Sequence, residues 1–239
     1  MRNNPWHACR KSESVCQSGD YRLIQHGALR MRIGVVACKI MKLELDKALS
    51  TLDGVTELVY LEEGKHVYPD KLKISVLEEI NAIKDKVDVI FLGYGHCQSL
   101  KGIEDQFDIP IVHPDAEDCI AILLTPERYA NEITKEAGTW FMTPGWAEAG
   151  ADMILKALHL DKFESEEVDA KELTNELFAS YTRGLFIDTG VGNDEYFIDK
   201  AKESCELFDV RLEKTVSTST ILEDSLAKCR EIAGGSGER

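Results

Sequence analysis

The sequence predicts an α/β protein built on a mostly parallel, doubly wound, Rossmann-like sheet with helices on both faces. Three observations lead there. Short apolar runs recur from Met31 onward, as at Ile33-Gly34-Val35-Val36-Ala37, Val87-Asp88-Val89-Ile90-Phe91-Leu92 and Ile109-Pro110-Ile111-Val112. Segments with helical spacing separate them and are long enough to carry the chain from one parallel strand to the next. The 239 residues, 44% of them hydrophobic, suffice for one sizeable core or a core with a small appended subdomain.

Residues 1–30 stand apart, with five Lys or Arg against two acids and no periodic apolar pattern. They are read as a disordered extension preceding a start at Met31. The first strand covers Ile33 to Ala37, a helix Lys42 to Leu52, and a second strand Val55 to Leu61. Leu72, Val76, Leu77, Ile80 and Ile83 repeat at helical spacing and lead to the third strand at Val87. The fourth strand is Ile109 to Val112. Asp118 sits where an N-cap belongs, ahead of an apolar helix, and a further helix runs from Pro126 to Glu136. Thr139 to Thr143 is a fifth strand, and Pro144-Gly145-Trp146 turns into a helix from Ala147 to Leu158, Pro suiting a helix entrance. Acid-rich Asp161 to Glu172 is a solvated connector into a helix through Tyr181. A sixth strand from Gly184, a helix from Asp194 to Phe208, a seventh strand from Val210 and a final helix from Ile221 complete the order. The domain is thus expected at 31–232, with 161–232 a candidate subdomain and 233–239 a flexible tail.

Composition narrows the function. A net charge of −15 argues against a nucleic-acid partner, which would need clustered Lys and Arg. No apolar stretch approaches the roughly 20 residues needed to span a bilayer, and no signal peptide is evident, so a cytosolic protein without membrane attachment is expected. Seven cysteines without close regular spacing fit a reducing compartment better than a disulfide framework.

Three of those cysteines, Cys38, Cys97 and Cys119, each follow an apolar run by a few residues. Open α/β sheets bind ligands outside the carboxyl ends of their strands, so three thiols distant in sequence are expected at one edge. Thiolates at that edge suit zinc or an iron–sulfur cluster, leaving a position open to substrate. The alternative is that some are buried small hydrophobes, Cys38 first among them. Cys119, at a helix start, is expected to have a lowered pKa. His96 and His113 flank the thiols as a fourth ligand or a proton carrier, and Asp115, Glu117 and Asp118 are acceptors behind them. Gly93 and Gly95 let backbone N–H groups approach a ligand. Trp140, Thr143, Gly145 and Trp146 form an apolar wall for a bulky cofactor, or else the tryptophans pack helix against sheet. Asp188-Thr189-Gly190-Val191-Gly192 lacks the spacing of a phosphate-binding motif, so nucleotide binding is not expected.

The run from Met31 to about Thr220 resembles the domain-of-unknown-function family numbered sixteen thirty-eight. The resemblance lies in Ala37-Cys38, Gly93-Tyr94-Gly95-His96-Cys97, Asp118-Cys119 with its apolar helix, Arg128-Tyr129 and Gly138-Thr139-Trp140-Phe141-Met142-Thr143-Pro144-Gly145-Trp146. It implies an anaerobic one-carbon context beside corrinoid proteins and their methyltransferases, which would then be the partners, with corrinoid supplied by one of them. Members commonly carry His where this chain has Glu117, so that position's role does not transfer. The leading expectation is a metal-binding protein acting in or beside corrinoid-dependent methyl transfer, as a metal-dependent methyltransferase if it is an enzyme. The rivals are an enzyme with Cys97 as nucleophile and His96 or His113 as base, and a non-catalytic accessory module carrying a cluster or cofactor.

Overall fold

The computed structural model describes residues 31–62, 68–157 and 178–235. The expected extension at 1–30, the connector at 161–172 and the last four residues lie outside them. Among the described residues there are seven strands and seven α-helices, with no α-helix between the third and fourth strands and two between the fourth and fifth, and all strand pairs are parallel. The strands divide between two sheets. The first takes β1 (Ile33–Cys38), β2 (Val55–Leu61), β3 (Val89–Gly93) and β4 (Ile111–Val112) in the order β2-β1-β3-β4. The second takes β5 (Thr139–Met142), β6 (Arg183–Asp188) and β7 (Arg211–Val216) in sequence order.

The first sheet has the doubly wound character expected, because β1 and β3 are buried on both faces. Ile33, Val35 and Ala37 of β1 point into one core, with Leu45 of α1 (Lys42–Leu49), the apolar run of α3 (Cys119–Leu124), and Leu222, Leu226 and Cys229 of α7 (Thr220–Gly235). Val36, one residue out of phase, points into another core with Leu72, Val76 and Ile80 of α2 (Pro69–Ile83). This is the two-residue period of a strand covered on both sides. The second sheet packs Met142 and Phe186 against Phe197, Ala201 and Cys205 of α6 (Asp194–Leu207) and Ala147 of α5 (Pro144–Ala157). Ile187 of β6 joins the first sheet's core, so the two sheets share an apolar centre.

The division into two sheets puts Trp140 on β5 of the second sheet and Trp146 in the helix that follows it, not on the sheet that carries the thiols. β4 is only two residues long, and α3 and α4 (Pro126–Lys135) carry the chain away before β5, which pairs with β6. Thr125, between those helices, holds φ = 72° while its hydroxyl accepts from the Arg128 amide. At the C-terminus α7 runs to Gly235 with Ala233 in the core, reaching three residues into the segment read as tail. Cys229 of the same helix is fully buried.

Candidate functional site

In the first sheet the strand order reverses between β1 and β3, and ligand crevices form where neighbouring crossovers diverge in this way. Cys38 ends β1, and Tyr94-Gly95-His96-Cys97 follows β3. The loop that precedes α3 completes the edge. Gly95 makes this possible, because a Cβ there would stand 2.6 Å from the Ala116 carbonyl oxygen and the Asp118 nitrogen. The two loops therefore lie against each other, with the His96 amide donating to the Ala116 carbonyl at 2.7 Å. The Asp118 carboxylate caps α3 by accepting from the Ile120 and Ala121 amides at 2.9 and 2.8 Å, which orients Cys119.

A crevice of about 740 Å³ opens there, lined by Cys38, Cys97 and Cys119 together with Gly93, Gly95, His96, Glu117 and Tyr94. Its opposite wall is aromatic. Trp140 and Trp146 meet edge to face at 6.3 Å, and Tyr129 meets Phe141 the same way at 4.9 Å. Both tryptophans come from the second sheet's side, so the crevice lies between the two sheets. Gly145 holds the wall in place, since a Cβ there would stand 2.0 Å from the Ile40 carbonyl oxygen. Gly145 thus acts by close packing against the turn after Cys38. Thr143, fully buried, accepts from the Trp146 amide and is not among the crevice-lining residues.

The three thiols have different surroundings. Burial pushes the Cys119 thiol well above its ordinary range, and the neighbouring Asp118 and Cys38 add to this, while a hydrogen bond from Trp146 offsets part of it. The lowered pKa expected from the helix start is overturned, because α3 is a short helix and desolvation outweighs its dipole. Tyr94 has a buried hydroxyl with no hydrogen-bond partner among the described residues, and burial beside Cys38 and Cys97 keeps it protonated. Among the described residues no three His, Cys, Asp or Glu side chains stand close enough together to hold a metal ion. The crevice gathers the thiols without closing them around one point.

The histidines separate. His96 lines the crevice and faces Asp115 at 3.4 Å on the surface. His113 lies outside the main crevice, in an adjoining recess of about 310 Å³ that Cys97 and His96 also line. Its Nε2 stands 3.5 Å from Glu104, and burial lowers its pKa. Tyr94, Tyr129 and Phe141 line the crevice too; the sequence placed each in a segment that carries the family resemblance but gave none of them a role in the site. Tyr94 stands between two chosen glycines and Phe141 beside the chosen Trp140.

A family model described as a protein of unknown function (DUF1638) matches residues 60–226. No curated protein matches the chain. No helix among the described residues is long and apolar enough to cross a membrane.

Proposed function

The chain belongs to the DUF1638 family of proteins of unknown function, so the site itself must carry the functional reading, and we propose that the crevice binds a thiophilic metal centre through Cys38, Cys97 and Cys119. The observation that supports this is that thiols from three separate segments line one crevice at the strand-order reversal of the first sheet. The donor set fits a soft metal. Its spread favours an iron–sulfur cluster, whose own atoms span part of the gap, over a lone zinc, which needs every sulfur about 2.3 Å from one point.

Each surrounding residue has a task in this reading. Trp146 donates to the Cys119 sulfur and so favours its thiolate, which must form when the proton is displaced. The Tyr94 hydroxyl donates to an acceptor bound between Cys38 and Cys97. Trp140 and Trp146 exclude water from the open side. A thiolate-bound centre with a free position supplies Lewis acidity that lowers the pKa of a bound thiol. We place this site in or beside corrinoid-dependent methyl transfer, on the strength of the family resemblance.

The nucleophile reading has less support. The Tyr94, His96 and Cys97 amides are engaged by the Leu92, Ala116 and Gly95 carbonyls at 2.7 Å each, so the glycine turn does not offer them to an oxyanion. Elemental analysis and an optical spectrum of anaerobically purified protein test the proposal. Bound iron with sulfide, or bound zinc, lost on Cys38→Ser, Cys97→Ser or Cys119→Ser but retained in Cys205→Ser, supports it. Metal-free wild type sinks it. Turnover with a methylated corrinoid protein then separates an enzyme from a carrier.

A further inference from the structure

A second crevice, of about 800 Å³, opens at the carboxyl edge of the second sheet, where β6 and β7 end. Its floor is apolar, with Leu52, Leu123, Leu222 and Leu226. Three features set it apart from a packing gap. Glu44 of α1 lines it and is 5% exposed, with one carboxyl oxygen accepting from the Thr189 hydroxyl at 2.9 Å. The other oxygen, Oε2, is buried with no hydrogen-bond partner among the described residues. At the rim stand two cations, Lys47 and Arg230, neither of which forms an ion pair among the described residues. In a chain of net charge −15, these are two cations facing one opening.

We propose that this crevice is a second small-molecule site, one that takes an organic acid with an apolar body and a hydroxyl at its far end. Lys47 and Arg230 hold the acidic group at the mouth, the leucines cover the body, and the hydroxyl meets Glu44 Oε2. A buried polar atom left unpaired costs free energy that a bound partner recovers. A hydroxyl serves because it both donates and accepts, matching the carboxyl group in either protonation state. Glu44 and Lys47 are three residues apart on one helix, so they share a face and suit the two ends of one compact ligand. Around the rim, Asp188 is neutralised by Lys214 at 2.8 Å, which leaves exposed Glu223 and the buried Glu44 carboxyl group beside the two cations. The glycine turn does not cradle the acid, because the Gly190 amide donates to Asp188 and the Gly190 carbonyl accepts from Lys47. Recognition is left to side chains, which accept a carboxylate or a phosphate monoester.

The experiment is an NMR titration of the full chain with 4-hydroxybenzoate and with 4-hydroxyphenyl phosphate, using phenol as the neutral control. At least one acid should saturate shifts at Thr189 and Ser217 to Ser219, and bind about tenfold tighter than phenol. Which acid does so tells carboxylate from phosphate. The Lys47→Ala/Arg230→Ala double variant changes only exposed side chains and should bring that acid down to phenol's affinity. Removing the hydroxyl, as in benzoate or phenyl phosphate, should also weaken binding. No shift with either acid at about 10 mM, or affinity indifferent to the double variant, overturns the proposal.

Discussion

The two carboxyl edges of this molecule occupy equivalent places in their sheets and carry opposite chemistries. At the first, thiols and aromatic rings face each other across a crevice. At the second, cations and hydroxyls ring a leucine floor with a buried carboxyl group behind it. The topology sets where a ligand can sit, while the side chains brought from outside each sheet set what it can be. The tryptophan wall of the first crevice comes from β5 and α5, on the second sheet's side. Glu44 and Lys47 of the second come from α1, which packs on the first sheet. Each crevice is thus completed by the other half.

That exchange can be broken at the joint. In Gly145→Ala the new methyl group would meet the Ile40 carbonyl oxygen, an atom of the backbone that cannot rotate away. The loss should be about 3 kcal/mol or more, at the upper end of overpacking costs, read from urea unfolding. Metal content should fall with it, because the turn after Cys38 must shift. Unchanged stability would mean that the halves do not depend on this contact.

Trp146→Ala attacks the first crevice alone. The side chain is half-buried, so truncation should cost about 3 kcal/mol, at the low end for an aromatic residue. Trp146→Phe should recover most of that stability yet lack the N–H that donates to Cys119. If Trp146→Phe holds the metal as firmly as wild type, the hydrogen bond to the thiol has no part in binding. Neither variant should alter the binding of 4-hydroxybenzoate or 4-hydroxyphenyl phosphate at the second crevice.

Much of the first crevice was legible because its thiols sit just after runs whose burial is written in consecutive apolar residues. Val55–Leu61 was read to the residue, and α6 to within one. What remained hidden depended on distance along the chain. β5 pairs with β6 in a register that joins Thr139 to Arg183, and no local pattern distinguishes that partner from β4. The second crevice draws Glu44 from α1 and Arg230 from α7, each an ordinary polar residue of an amphipathic helix until the fold brings them together. Gly145 shows another limit, since a packing glycine and a ligand-approach glycine look alike in sequence. Cys119 illustrates competition between effects, where burial prevailed over the helix start.

Cysteines of the core sharpen the contrast with those of the crevice. Cys205 and Cys229 are buried, and burial pushes the Cys205 thiol up to about 11 and the Cys229 thiol up to about 12. Serine at either position places a hydroxyl among apolar neighbours. A loss of about 1–2 kcal/mol is expected, with metal content unchanged. Metal loss in a folded Cys229→Ser protein would show that the thiols had been sorted wrongly.

The smallest expected effect lies at the opposite, amino end of the second sheet. Thr139, Arg183 and Arg211 stand in register across β5, β6 and β7. Arg183 is fully buried and pairs with Glu132 at 2.7 Å and Glu213 at 3.3 Å, while Arg211 pairs with Glu136. The amino end of the first sheet is tied by a single pair, Arg32 with Asp88, whereas that of the second carries this larger network around a fully buried arginine. Arg211 first, with a hydrogen bond from Thr182, lowers the Glu136 carboxyl from 4.5 to about 2. A carboxylate with a depressed folded-state pKa stabilises above its unfolded value and loses that contribution as pH falls through the folded one. The stability advantage of wild type over Glu136→Gln should therefore be full at pH 6 and shrink as pH falls from 4.5 to about 2. Glu136 is near the surface, so the advantage should be small and should weaken further in high salt. An advantage that stays constant through that pH window would assign it to the shape of the side chain and remove charge from the account of how the second sheet is held.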